Sequence, residues 1–182
     1  MASRSLRSIR SARHSRGHRR GAAQVRGWQA AGPNWRPRFS KSDLVKTFFD
    51  SSAFAKRYVE ETGSDDVEAA VRAATDLGLC VICVPEILSA LNRRFRERRL
   101  ERRAYTLVTR HLLEDVVDAA IIDLTPAVIA ETVGLLEASI LRAADAMHVA
   151  AAKVWEADLF VSADRRQLAA ARKCGLRVKA VS

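Results

Sequence analysis

No apolar run in this 182-residue chain approaches the roughly 18 consecutive residues that a membrane-spanning helix needs. The first 30 residues also lack the hydrophobic segment of a secretory signal, so neither membrane insertion nor secretion is expected. Cysteine is scarce: Cys80, Cys83 and Cys174 are the only three, which fits a reducing cytoplasm. Cys80-Val-Ile-Cys83 satisfies the C-x-x-C spacing, yet it lies inside the apolar run LCVICV (79–84), which predicts a strand. Both thiols then read as small buried hydrophobes rather than as a redox pair at a strand-to-helix turn. There is no glycine-rich phosphate loop, no internal repeat and no zinc-type ligand spacing, which removes nucleotide-binding loops, solenoids and zinc modules as sources of function. Aromatics make up 6% of the chain, and Trp155 and Tyr58 stand alone, as core or dimer-interface residues rather than base-stacking platforms.

Acid is nearly missing from one end. Residues 1–43 hold 11 Lys and Arg against a single acid, Asp43, whereas residues 44–182 hold 20 of each, so the first 43 residues carry the whole formal charge of +10. Nucleic-acid binding by the body of the chain therefore does not follow from net charge. Residues 1–41 scatter glycine and proline among arginines without sustained periodicity, predicting a basic disordered N-terminal extension, with the folded domain spanning 42–182. A misassigned start is equally compatible with that extension; a nucleic-acid tether and a targeting segment rank behind.

From residue 44 onward short apolar runs alternate with helical periodicity. LVKTFF (44–49) predicts a strand ending at Asp50, with Ser51 or Ser52 capping the next helix. A helix over 63–76 precedes the strand 79–84, and Pro85-Glu86 opens a helix through Phe95. A helix over 101–120, the strand IIDL (121–124), a helix from Thr125-Pro126 to Ala138 and a helix carrying Ala143 to Val154 follow. LFV (159–161), a helix from Asp164 to Lys173 stopped by Gly175, and LRVKAV (176–181) complete the pattern of an α/β sandwich around a central, mainly parallel sheet.

Four separated acids stand out on this framework: Asp50, Glu86, Asp145 and Asp164, three of them within a few residues of a strand's carboxyl end, where open parallel sheets place their sites. Brought together, such carboxylates raise one another's pKa and call for a divalent metal, the chemistry of a metal-dependent phosphodiesterase. Asp145 lies among Ala143, Ala144, Ala146 and Met147, where an unpaired buried charge is costly. Glu86 alone could merely complement a helix dipole, and Asp50 and Asp164 could merely cap helices; for Asp164, Ser162 two residues earlier offers a hydroxyl to orient a metal-bound water. Asp123 and Asp158 are decoys, one serving a turn and the other at a strand's start. His148, three residues after Asp145, either reaches a phosphate or packs in the core, and core packing is the expectation. Residues 93–103 (RRFRERRLERR) place Arg94, Arg98 and Arg102 at helical spacing as candidate RNA-backbone contacts, with a solvated face or a partner surface as the alternatives.

The strings FFDSSAFAKRYV, VPEILSAL, LRAADAMHVAAA and VSADRRQLAAARKCGLRV, in this order, resemble the PIN domain over about residues 46–181, and specifically the toxin nucleases of VapBC toxin–antitoxin pairs. The resemblance implies a three-layer α/β/α domain and an Mg²⁺-dependent, or Mn²⁺-dependent, cytoplasmic endoribonuclease that forms a homodimer and is silenced by a VapB-like antitoxin. It implies a site of Asp50, Glu86, Asp145 and Asp164 for both metal and catalysis, supported by Ser51 or Ser162. The competing expectations are a PIN-type RNA- or DNA-processing nuclease without an antitoxin, and a non-catalytic RNA-binding protein.

Overall fold

The computed structural model describes residues 45–181; the expected extension over residues 1–41 lies outside the described residues. Among the described residues, strands β1 (Lys46–Phe49), β2 (Asp76–Cys80), β3 (Ala120–Ile122), β4 (Leu159–Ser162) and β5 (Arg177–Ala180) form a sheet in the order β3-β2-β1-β4-β5. Every neighbouring pair is parallel, and β1 is in register with β2 through Phe49↔Leu79 and with β4 through Phe49↔Val161. The helices are α1 (Ser51–Phe54), extended by a 3-10 turn over Ala55–Arg57, then α2 (Ser64–Ala73), α3 (Cys83–Arg96), α4 (Arg102–Asp115), α5 (Pro126–Ala138), α6 (Ala143–Val154) and α7 (Arg165–Lys173). No helix among them is long and apolar enough to cross a membrane.

Alternation along the strands divides the core into two layers, because successive side chains point to opposite faces of a sheet. Phe49, Leu79 and Val161 pack with Phe54, Val67, Ile87 and Leu112 from the first four helices. Their chain neighbours Phe48, Cys80 and Phe160 pack with Val128, Val149 and Leu168 from the last three. Helices on both faces of an all-parallel sheet make a three-layer α/β/α fold, as the continuous apolar runs predicted.

Several local signals act as expected. Thr125 accepts a bond from the Val128 amide at 3.3 Å, with Pro126 in the first turn of α5. Gly175 follows α7 at φ 84°, the left-handed conformation that ends a helix without a Cβ clash. The Tyr58 hydroxyl donates to Asp115 at 2.8 Å from a buried ring, and Trp155 packs against Phe48 with ring centroids 6.3 Å apart.

The run 79–84 divides differently. β2 begins at Asp76 and ends at Cys80, and α3 already starts at Cys83, because an apolar run buried on both sides does not reveal where strand gives way to helix. Gly78 extends the strand towards its start, where a Cβ would lie 2.6 Å from the Trp155 ring. Cys80 and Cys83 therefore do straddle a strand-to-helix turn, contrary to the sequence expectation. They are nevertheless only 1% and 0% exposed, and burial pushes both thiols up, away from the thiolate that redox exchange requires. The helix expected over 101–120 is likewise shorter, since α4 ends at Asp115 and β3 starts at Ala120.

Candidate active site

The sheet order creates the site. From β1 the chain runs outward through β2 to β3, then returns to lay β4 and β5 on the other side of β1, so the switch point lies at the carboxyl ends of β1 and β4. Asp50 follows β1 there, its amide bonded to the Val161 carbonyl at 3.1 Å, and Ser162 ends β4 beside it.

Asp50 is 1% exposed and accepts three hydrogen bonds. Its Oδ1 accepts from the Ala53 amide at 2.8 Å; its Oδ2 accepts from Ser52 Oγ at 2.7 Å and Ser162 Oγ at 2.9 Å. Asp50 is thus itself the N-cap of α1, and neither Ser51 nor Ser52 takes that place; their hydroxyls turn to carboxylates instead. Burial pushes the Asp50 carboxyl up from its ordinary value, although the nearby His148 and these hydrogen bonds work against that shift.

Glu86, in the first turn of α3, is half-buried. Its Oε2 accepts from Ser51 Oγ at 2.5 Å and lies 2.7 Å from His148 Nε2. Burial alone would raise this carboxyl; the bonds from His148 and Ser51, with the His148 charge, outweigh it and hold Glu86 below its ordinary value. Asp145, in the first turn of α6, accepts from Gln167 Nε2 at 3.0 Å. Asp50, Glu86 and Asp145 all line one cleft of about 460 Å³, together with Ser51, Ser52, His148 and Gln167.

Asp164 does not line the cleft. It caps α7, its Oδ1 accepting from the Arg166 amide at 2.7 Å and the Gln167 amide at 3.3 Å, so the capping function holds in this orientation. Ser162 ties it to the rest, receiving the Asp164 amide at 2.9 Å while donating to Asp50. Asp158 binds the Lys46 amide at the start of β1, at the opposite end of the sheet.

The arginine run behaves differently from a single helix. α3 ends at Arg96, Arg98 takes φ 55°, and α4 starts only at Arg102, so the expected face of Arg94, Arg98 and Arg102 is broken by a turn. Arg94 lines the cleft and pairs with Glu61 at 2.5 Å; Arg102 lies over the Phe95 ring, and neither it nor Arg98 reaches the cleft. Arg93 and Arg142 complete the basic rim.

Sequence reasoning did not single out Arg142 or Gln167, and placed His148 in the core without its polar contact. A signal existed for His148, which stands three residues after Asp145 on α6, the spacing that shares a helix face; Arg142 and Asp164 stand at the N-caps of their helices, so spacing offered none for Arg142 or Gln167.

Among the described residues no three His, Cys, Asp or Glu side chains stand close enough to form a ready metal cage. Each carboxylate is turned to an internal partner instead. The donor chemistry nevertheless fits a hard divalent cation: three carboxylates face one cleft, and among the described residues none forms an ion pair with a lysine or arginine. A buried carboxylate such as Asp50 without a counter-cation is the setting that a bound cation relieves.

No curated protein matches the chain by sequence. Solved structures share its fold at low identity. FitAcB from Neisseria gonorrhoeae superposes with a TM-score of 0.58 at 15% identity, covering 72% of this chain and 95% of that one. VapBC2 from Rickettsia felis, bound to a DNA fragment from its promoter, gives 0.53 at 10%, covering 75% and 98%. VapC20 from Mycobacterium tuberculosis, described as a sarcin-ricin loop cleaving toxin, gives 0.51 at 16%, covering 68% and 94%. In sequence, the PIN domain profile matches residues 47–173, from the strand that presents Asp50 to the end of α7, and the chain belongs to the PIN domain family.

Proposed function

We propose that this chain is a metal-dependent endoribonuclease and the toxin of a toxin–antitoxin pair. The observation that carries the nuclease reading is the convergence of Asp50, Glu86 and Asp145 on one cleft at the sheet's switch point, with no lysine or arginine among the described residues paired to them and arginines on the rim. Asp50, Glu86 and Asp145 would hold Mg²⁺ or Mn²⁺; Asp164, which caps α7 outside the lining of the cleft, would have to turn away from that cap to join them as a fourth donor. Such an ion supplies an attacking water of lowered pKa and offsets charge developing on the scissile phosphate.

The chain's own groups bind and orient. Ser52 and Ser162 hold the Asp50 carboxylate, and Ser51 holds Glu86. Arg93 and Arg142 at the rim, and Arg94 once released from Glu61, would grip RNA phosphates, which positions the backbone without specifying bases. Attack by water rather than by the ribose 2′-hydroxyl leaves 5′-phosphate and 3′-hydroxyl ends.

The toxin assignment draws on the fold shared with FitAcB and VapBC2 and on the motif resemblance to VapBC toxins. An antitoxin arginine would suit this acidic cleft, since a planar guanidinium pairs bidentately with a carboxylate. A homodimer is part of the same assignment, and Ile129, Val133 and Leu136 on α5, followed by Ile140, leave an exposed apolar stripe for it.

Growth tests this reading. Induction of the chain alone in bacteria is expected to arrest growth, and co-expression of a cognate antitoxin, sought among short genes beside its own, is expected to restore growth. Absence of arrest, with RNA cleavage intact in the purified protein, would instead make it a processing nuclease without an antitoxin.

A further inference from the structure

His148 is only 1% exposed, yet it is not a core filler. Its Nε2 lies 2.7 Å from Glu86 Oε2 and 3.0 Å from Ser51 Oγ, while its Nδ1 is buried without a hydrogen-bond partner among the described residues. A residue present only to occupy volume would be cheaper as leucine or methionine, because an unpartnered buried ring nitrogen costs desolvation for no return. The polar contact at Nε2 has to account for the histidine.

The arrangement is not a nucleophile relay. A relay needs a base whose two ring nitrogens face different partners, one the hydroxyl and the other the orienting carboxylate. Here the hydroxyl and the carboxylate crowd the same nitrogen, and the Ser51 hydroxyl bonds to Glu86 as well. With Ser51 Oγ and Glu86 Oε2 both at Nε2, the ring carries a proton there in its neutral or its charged form and donates it to Glu86.

Its placement gives that bond a purpose. Glu86 rides on α3, whose buried side chains pack on one face of the sheet, and His148 on α6, which packs on the other. The bond therefore spans the two helical layers across the sheet's carboxyl edge. It fixes a long, half-exposed side chain that has three rotatable bonds, leaving Glu86 Oε1 without a hydrogen bond among the described residues.

We propose that His148 is a positioning residue: through Nε2–H it holds Glu86 in the orientation that binds a divalent metal ion in the cleft. The inference rests on the metal-dependent reading of this site. Hydrogen bonds to ligating carboxylates typically contribute 10–100-fold in metal affinity.

Mn²⁺ binding to the full chain, read by the electron paramagnetic resonance of free Mn²⁺, tests it without any cleavage assay. The variants are His148→Gln, His148→Asn, His148→Leu and, as a control on the site, Asp50→Asn. Glutamine carries its amide nitrogen as many bonds from Cβ as Nε2, whereas asparagine falls short. His148→Gln is expected to bind Mn²⁺ close to wild type, and His148→Asn and His148→Leu to bind about 10–100-fold more weakly. If His148→Leu fails to fold, the glutamine and asparagine pair decides, each checked by circular dichroism. Wild-type affinity in a folded His148→Asn, or a loss in His148→Gln as large as in His148→Asn, overturns the inference while Asp50→Asn still weakens binding. Failure of the wild-type chain to bind Mn²⁺ overturns the metal reading and this inference together.

Discussion

Asparagine at position 50 or 145 is expected to reduce metal-dependent RNA cleavage by at least about 100-fold while leaving the domain folded. The two carboxylates reach the cleft from different elements, Asp50 after β1 and Asp145 on α6, so losing either removes a different part of the proposed site. The fold should tolerate both changes. At position 50 the amide oxygen can still accept from the Ala53 nitrogen and cap α1, and the hydroxyls of Ser52 and Ser162 can rotate from donating to accepting. At position 145 the single bond to Gln167 is retained by the amide oxygen. Circular dichroism and gel assays with Mg²⁺ on the same preparations check this, and cleavage retained by both folded variants would remove Asp50 and Asp145 from the chemistry.

Mn²⁺ is expected to raise the melting temperature of the wild-type chain by several degrees at neutral pH, and to leave Asp50→Asn almost unmoved. A ligand at about 100 times its Kd stabilises the native state by about 2.7 kcal/mol. The direction with pH follows from Asp50. Its carboxyl is raised in the folded state by burial, so the native protein holds the proton more tightly than the unfolded chain. Its contribution to stability therefore falls as pH rises from the ordinary carboxylate value through the raised one, and the ionised form present above that window is the form a cation relieves. The Mn²⁺ shift should accordingly shrink as the buffer is taken down into the acid range where Asp50 protonates. In metal-free buffer at neutral pH, Asp50→Asn should melt no lower than wild type, because it removes a buried charge. Differential scanning calorimetry across pH measures both effects, and an equal Mn²⁺ shift in wild type and Asp50→Asn would place the ion elsewhere.

Much of this fold is written locally. Strands covered on both faces are mostly apolar, so LVKTFF and LFV announce β1 and β4, and Thr125-Pro126 and Gly175 mark helix boundaries through capping and left-handed φ. Hydrophobicity could not divide 79–84, where one apolar run serves both β2 and α3. At 93–103 the arginine spacing runs across the gap that apolar periodicity already leaves between a helix ending near Phe95 and one starting near 101, and the turn at Arg98 occupies that gap. Asp50, Glu86 and Asp164 stood out because they follow strand-like runs and Asp145 because of its alanine neighbours, yet the partners of these acids were not legible. That Asp50 draws in Ser162, 112 residues away, and Glu86 draws in His148, 62 residues away, depends on the order in which the strands assemble. Capping chemistry also served the acids themselves: Asp50 and Asp164 both bond helix amides, a choice between local and site functions that sequence spacing does not distinguish.

The end groups left on a cleaved RNA test the central claim most directly. A 5′-labelled RNA incubated with the purified full chain and Mg²⁺, with a parallel reaction in excess chelator, is resolved before and after phosphatase and ligase treatment. Metal-activated attack by water at the carboxylate cleft predicts 5′-phosphate and 3′-hydroxyl ends that appear only with the metal. Cleavage that survives chelation, or that yields 2′,3′-cyclic phosphate ends, would contradict it.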